Sequence, residues 1–532
     1  MARSTYPDVE IPAQSVYELL FGDLDDADLD RIALVDGSTG DETTYRQLIA
    51  QVDALAGALA ARGLGVGDTV GILCPNLPEF ATVFHGVLRA GGTATTINSL
   101  YTVGEIASQL KSADAHWLFT VSPLLPQAAE AALAVGIADD HLVVIDGAEG
   151  HPSLRDLLFD RAAPPDVHFD PATHLAVLPF SSGTTGHPKG VMLTHQNLVA
   201  NVLQSEQVIP LGRDDRVLAV LPFFHIYGLS VLLDFALLKR ASLVTMPKFE
   251  LAEFLRVTSE HVCTWLFIAP PIAVALAKHP LVDDYDLTGV DVIFSGAAPL
   301  DGALAQAVAE RIGCTVCQGY GMTEASPVTH AIPVARADID RSSIGLALPN
   351  TECRVIDPET GEDVAVPESG PSAPGELLVR GPQVMTGYLA DEASTAQALD
   401  AEGWLHTGDI ATVDAEGVYV IVDRLKELIK YKGYQVAPAV LEAVLLTHPE
   451  VVDAAVIGID DEDGQEVPKA FVVRRADADL DEEVVMAYVA ERVAGHEKVR
   501  MVEFIEVIPK SSSGKILRKD LRSKVGRHAA VG

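Results

Sequence analysis

The chain is poor in cysteine, poor in basic residues and free of long apolar runs, and each shortage excludes something. Five cysteines are scattered over 532 residues, an odd number at low density that argues against a disulfide framework. Cys314-Thr-Val-Cys317 has redox or metal spacing, but it lies in an apolar stretch with no second Cys/His pair, so both residues are read as small strand residues. No run of about 18 uncharged apolar residues occurs, so no membrane span is expected. The opening residues lack the apolar core of a secretory signal and the last residues are not a peroxisomal address, which makes a cytoplasmic location the expectation. Lys and Arg number 38 against 75 Asp and Glu, a formal charge of −37. A polyanion would be repelled, so general nucleic-acid binding is excluded.

Against that acidic background, basic clusters stand out. Seven Lys or Arg and one acid, Asp520, lie between Lys510 and the end. Apolar residues make up 48% of the chain, enough for a large core, and its length exceeds the roughly 250–300 residues at which single cores stop growing. Over the first 350 residues β-rich runs (69–74, 141–145, 175–180, 216–221, 290–294) alternate with helical patterns such as 45–62. That alternation predicts a mixed or parallel sheet flanked by helices. The acidic, Pro- and Gly-rich segment 357–375 reads as a hairpin tip in a β-rich region, with strands at 376–380 and 417–422. After Asp423 an α+β pattern follows: helix 439–447, strands 452–459 and 469–474, helix 482–493, strand 499–507. The expected fold is therefore α/β: a large N-terminal domain (1–425) with a β-rich subdomain, and a small α+β C-terminal domain (426–532) jointed near Lys426.

The sharpest local signal is Ser181-Ser-Gly-Thr-Thr-Gly-His-Pro-Lys-Gly190. Small residues let backbone N–H groups close around phosphate oxygens. The hydroxyls of Ser181, Ser182, Thr184 and Thr185 add donors around Gly183, and Lys189 adds a cation. The ordinary nucleotide loop needs Gly-Lys-Ser/Thr opening a helix; here Lys189 leads into a strand-like run, so the loop joins two strands. Five further blocks follow: Leu221-Pro-Phe-Phe-His-Ile-Tyr-Gly228; Ser295-Gly-Ala-Ala-Pro-Leu300 with Gln318-Gly-Tyr-Gly-Met-Thr-Glu324; Gly403-Trp-Leu-His-Thr-Gly-Asp-Ile410; Asp423-Arg-Leu-Lys-Glu-Leu-Ile-Lys-Tyr-Lys-Gly-Tyr-Gln-Val-Ala-Pro438; and Pro509-Lys-Ser-Ser-Ser-Gly-Lys-Ile-Leu-Arg-Lys519.

Together these blocks resemble the adenylate-forming enzymes, which include acyl-CoA synthetases, luciferases and adenylation domains, over nearly the whole chain. The resemblance implies an ATP-dependent ligase that makes an acyl-adenylate and passes the acyl group to coenzyme A. It implies that Ala297, Gln318, Gly319 and Tyr320 border the adenine or adenylate, that Thr323 bonds the α-phosphate, and that Glu324 holds Mg²⁺. His225 would gate the carboxylate pocket. Asp409 and Arg424 would hold the ribose, Lys430 and Gln435 the adenylate, and Lys515 would bridge the α-phosphate and the attacking carboxylate. Lys426 takes the hinge position. Lys248, Lys432 and Gly433 match the CoA side, where a larger side chain at 433 would narrow the thiol tunnel.

Within the family the blocks at 318–324 and 426–438 are most similar to 4-coumarate and cinnamate CoA ligases. By position, Tyr227, Val231, Gly296, Ala297, Gly321, Pro327 and Val328 line the acyl pocket. Val231 and Ala331 depart from the plant-type pattern of Ser and Met, and Val231 removes a hydroxyl that could serve a ring hydroxyl. Unsubstituted cinnamate or another apolar acid thus stands beside 4-coumarate. A medium-chain fatty or other aryl acyl-CoA synthetase is the alternative, followed by an enzyme that loads a carrier protein, against which Lys248 and Lys432 speak. ATP, CoA and a carboxylic acid are the expected partners; oligomeric state is left open.

Overall fold

The computed structural model describes residues 2–181, 188–431, 434–461, 466–475, 478–511 and 514–529. Among them the chain builds three large sheets and a small C-terminal unit. One eight-stranded sheet runs Gly387–Tyr388, Lys189–Thr194, Leu175–Val177, Thr93–Thr96, Thr69–Leu73, Ala115–Thr120, Leu142–Val144, with Phe180–Ser181 pairing the second of these. A nine-stranded sheet runs Leu346–Ala347, Val328–Ala331, Thr315–Gly321, Val292–Ser295, Trp265–Ile268, Arg216–Ala219, Ser242–Thr245, Ile32–Asp36, Glu42–Thr44. Its six central strands, from Thr315–Gly321 to Ile32–Asp36, are parallel. The third sheet is antiparallel and joins Ala2–Arg3, Glu352–Ile356, Gly375–Arg380, Leu405–Val413 and Tyr419–Arg424. The fold class read from the sequence is thus the observed one.

Parallel strands buried on both faces read as continuous apolar runs, and Val292-Ile-Phe-Ser295 and Trp265-Leu-Phe-Ile268 are fully buried examples. One core cluster extends through the eight- and nine-stranded sheets and their helices. The C-terminal unit has a core of its own, from Ile429 to Val502, over strands Val451–Asp460, Glu466–Arg474 and Met501–Phe504.

Helix starts follow local chemistry. Thr44 with Gln47 forms a capping box that opens Tyr45–Ala61, the helix expected over 45–62. Thr194 with Asn197 does the same for His195–Ser205, directly after the strand that leaves the Ser/Gly loop. Segment 357–375 is the connection of the antiparallel hairpin between Glu352–Ile356 and Gly375–Arg380. Cys314 precedes its strand and Cys317 lies inside it; both are free thiols. Two C-terminal elements are shorter than expected. Helix Glu482–Ala490 stops before 493, and strand Met501–Phe504 replaces 499–507. Gly495 and Pro509 lie just beyond, and edge strands end where pairing ends.

Candidate active site

The loops leaving the C-terminal ends of the parallel strands gather the predicted residues on one end of the nine-stranded sheet, the usual place for ligands in open α/β sheets. His225 follows Arg216–Ala219, Lys248 follows Ser242–Thr245, Gly296 and Ala297 follow Val292–Ser295, and Gly321, Thr323 and Glu324 close Thr315–Gly321. Close approach demands glycine here. A Cβ on Gly296 would stand 2.7 Å from the Tyr227 ring, and one on Gly321 would stand 2.1 Å from the Pro327 carbonyl oxygen. Ala297 holds φ +70°, a left-handed conformation that a non-glycine residue keeps only under constraint.

Glu324 is buried in a short turn, and its Oε1 accepts hydrogen bonds from the Tyr388 hydroxyl at 2.8 Å and the Ser181 hydroxyl at 3.3 Å. The donor set is hard oxygen. Among the described residues no group of three His, Cys, Asp or Glu could form an all-protein cage. A single carboxylate that leaves the remaining positions to water and phosphate suits magnesium. Lys189 donates to the Ser394 hydroxyl at 2.7 Å and sits 5.1 Å over the Tyr388 ring.

Asp409 and Arg424 are register partners on adjacent strands, joined at 3.2 Å. The Tyr320 hydroxyl donates to the other oxygen of Asp409 at 2.5 Å. Burial beside that carboxylate pushes the Tyr320 phenol well above its ordinary value, so it stays a donor. Gln318 does something the sequence did not announce. Its amide accepts from Leu300 N–H at 3.1 Å and donates to the Leu300 and Arg341 carbonyls, so its side chain braces the 295–300 loop. Gly319 packs against Phe294, 2.9 Å from where a Cβ would stand.

Lys515 comes from the other end of the chain. Its loop is closed by Ser511, whose N–H donates to the Lys515 carbonyl at 2.8 Å and whose hydroxyl accepts from Lys515 N–H at 3.2 Å. Gly514, at φ +84°, lies beside Ala269 and Pro271, where strand Trp265–Ile268 passes into helix Pro270–Lys278. Lys515 thereby enters the cleft. Desolvation, with Arg424 also nearby, lowers its pKa to about 8, while Asp409 and Glu324 pull it back up. His225 opens onto the same cleft; burial, reinforced by Lys515, lowers its pKa to about 4. Its Nδ1 accepts from Tyr227 N–H at 3.3 Å, so the neutral ring carries its proton on Nε2 as a donor.

The expected pocket residues Tyr227, Val231 and Val328 are buried, and the Tyr227 hydroxyl donates to the Phe294 carbonyl at 3.3 Å. Lys248, Lys426 and Lys430 are exposed. Ser182, Gly183, Thr184, Thr185, Lys432 and Gly433 lie outside the described residues, as does the side chain of Gln435. Sequence reasoning missed Tyr388 and Ser394, and it missed the amides of helix His195–Ser205. Asn197 donates to the Pro382 and Val384 carbonyls, Asn201 to Val328 and Gln204 to Pro349, stapling the loops around Glu324 and the pocket. Their spacing of four and three residues inside an otherwise apolar helix was the available signal.

The chain that builds this cleft of Lys189, the Asp409–Arg424 pair and Lys515 is matched by two family models. The AMP-binding enzyme model covers residues 25–389, and the AMP-binding enzyme C-terminal domain model covers residues 440–515. The chain belongs to the AMP-binding enzyme family. As such it is similar to 4-coumarate–CoA ligase 1 of Solanum tuberosum, 41% identical over 98% of this chain and 96% of the relative. It is also similar to 4-coumarate–CoA ligase 3 of Oryza sativa subsp. japonica, 40% identical over 98% and 94%. Among solved structures, the anthranilate CoA ligase AuaEII in complex with anthranoyl-AMP superposes on this AMP-binding enzyme with a TM-score of 0.90, at 27% identity over 98% of this chain and 99% of the other. The ATP-bound MatB of Rhodopseudomonas palustris gives 0.85, at 29% identity over 96% and 98%. The two curated relatives and AuaEII are CoA ligases by name.

Proposed function

We propose that the protein is an ATP-dependent carboxylate–CoA ligase acting on aryl acids of the 4-coumarate or cinnamate type. The observation that carries the reading is the delivery of Lys515 into a cleft already holding His225, Glu324 and the Asp409–Arg424 pair. A carboxylate and a triphosphate repel each other, so the first requirement is a cation where they meet. The Lys515 ammonium supplies it, and the His225 Nε2–H is a further donor. A carboxylate oxygen attacks the α-phosphorus, the bond to the bridging oxygen breaks, and diphosphate leaves. Asp409 accepts from the ribose hydroxyls, and Thr323 and the loop around Lys189 bond the phosphates. Glu324 would hold magnesium, which supplies neutralising charge to the phosphates when bound. In the second step the CoA thiol gives up its proton to solvent, its sulfur attacks the acyl carbonyl, the bond from that carbon to the phosphate oxygen breaks, and AMP leaves.

The thiol must enter where Lys515 stood. The separate core of residues 429–502 supports a division at residues 425/426 and a turn of the small unit about Lys426, bringing Lys432 and Gly433 to the cleft. Lys248 then meets the CoA nucleotide. The aryl preference is supported by the 4-coumarate–CoA ligases at about 40% identity and by the apolar lining of Tyr227, Val231 and Val328. Purified protein with ATP and magnesium, given cinnamate, 4-coumarate and medium-chain acids, is expected to release diphosphate, and with CoA to release AMP and yield thioester. Release of ADP, or no nucleotide product with any acid, would refute the reading.

A further inference from the structure

The segment that carries Tyr227 and Val231 is wound as a π-helix over Tyr227–Asp234. Hydrogen bonds spanning five residues instead of four are rare and persist where something holds them. The N-terminal end has a tether already described, the Tyr227 hydroxyl on the Phe294 carbonyl. The C-terminal end has a second tether of a different kind. Asp234, the last π residue, is wholly buried, and its Oδ1 lies 3.0 Å from Nε2 of His85, also wholly buried, on helix Pro78–Arg89.

The protonation of this pair follows from its partners. His85 Nδ1 lies 2.8 Å from the Ala81 carbonyl oxygen, which can only accept, so Nδ1 carries a proton. The Nε2–Oδ1 contact then needs a proton of its own, either on the ring or on the carboxyl. Both arrangements leave the pair with no net charge, the form a dry interior tolerates. Phe21 and Phe84 set ring edges against His85 at 5.3 and 5.1 Å and keep water away. Asp234 Oδ2 and the Ser230 hydroxyl on the same helix are buried without a hydrogen-bond partner. Polar groups are not left in that condition on a helix free to rewind.

We propose that the His85–Asp234 pair is a positioning clamp that fixes the winding of Tyr227–Asp234, and so sets which acids the pocket selects. The inference rests on the ligase reading above. If the segment relaxed to α winding, the phase between Asp234 and Tyr227 or Val231 would change, and the pocket wall with it. His85 and Asp234 themselves touch no substrate.

The test compares kcat/KM for cinnamate, 4-coumarate and octanoate, read as AMP formation, with the KM for ATP in the same preparations. The double variant His85→Leu/Asp234→Leu removes the clamp without orphaning a charge. It is expected to shift the selectivity ratios by roughly tenfold or more, the scale of a one-methylene change in an apolar pocket, with the ATP KM unchanged. Asp234→Asn alone, whose amide can donate to Nε2 of a neutral His85, is expected to keep the wild-type ratios. Wild-type ratios in the double variant, or an equal loss for all acids and ATP, would overturn the clamp. Should the double variant not fold, Asp234→Glu lengthens the tether by one methylene and decides in its place: a shifted ratio supports the clamp and an unchanged one overturns it. Absence of AMP from the wild-type enzyme with every acid would instead refute the ligase reading, and the inference with it.

Discussion

Two regions of the cleft are built on opposite plans. The ribose-side cradle is tied down before any ligand arrives. Asp409 is bonded on one oxygen by Arg424 from the adjacent strand and on the other by Tyr320 from the nine-stranded sheet. Glu324 is similarly gripped by Tyr388 and Ser181. Around Lys515, Ser511 bonds the Lys515 backbone, Lys510 pairs with Asp453, and Gly514 lies beside Pro271 and Ala269. On the proposed reading, binding geometry is preorganised on strands, while the decisive charge comes in on a loop that later withdraws. Rigid elements hold positions better than loops, and a group that must leave cannot be stapled.

The comparison breaks most severely at the stem of that loop. Arg518, three residues after Lys515, makes a two-pronged ion pair with Glu442 at 2.7 and 2.8 Å, with both side chains nearly buried. Burial drives the Glu442 carboxyl upward, and Arg518 opposes it. Arg518→Ala would leave a buried carboxylate unpaired and is expected to destabilise the C-terminal unit by about 3–5 kcal/mol. Urea unfolding followed by hydrogen exchange in residues 438–460 would measure this. Next comes the charge itself. Lys515→Ala is expected to raise the adenylation barrier by about 3–4 kcal/mol, while pre-made acyl-AMP is still converted to thioester. Equal loss in both half-reactions would show that the lysine is a fixed part of the site and not a delivered one.

How much of this could be read in advance divides along the same line. The strands near 69–74, 141–145, 175–180, 216–221 and 290–294, the helix at Tyr45–Ala61 and the α+β order after Asp423 follow from local periodicity, caps and turns, which a sequence displays. Asp409, Glu324 and Lys515 were legible because the blocks that carry them resemble those of the adenylate-forming enzymes. Contacts between distant segments left no mark. Tyr388 on Glu324, Ser394 on Lys189 and His85 on Asp234 join residues 64, 205 and 149 apart, and nothing local to a Gly-Tyr pair or a lone histidine announces such partners. The bracing role of Gln318 was missed for the same reason, since its amide partners lie 18 and 23 residues away.

A smaller effect sharpens the cradle side. Asp409→Asn keeps the shape but removes the charge that Arg424 and Tyr320 share. Charge-assisted hydrogen bonds contribute about 1.5–3 kcal/mol, and the loss should appear as a raised KM for ATP, with the KM for the acid little changed. A loss confined to acid binding would place Asp409 outside the nucleotide site.

The mildest test needs no loss of structure. Lys515 titrates near 8 in the cleft, below the ordinary lysine range, because desolvation and Arg424 disfavour its charged form more than Asp409 and Glu324 favour it. The charged form is the one that bridges two anions, so adenylation is expected to be full below pH 8 and to fall as the pH rises through it. That limb belongs in kcat/KM, which reports the free enzyme. Lys515→Arg keeps the charge with a group that does not titrate in this range, at some expense in geometry. Its profile should therefore be lower but flat to above pH 9. A limb near 8 that survives in Lys515→Arg would belong to another group, and the delivered charge would no longer be what the pH dependence reports.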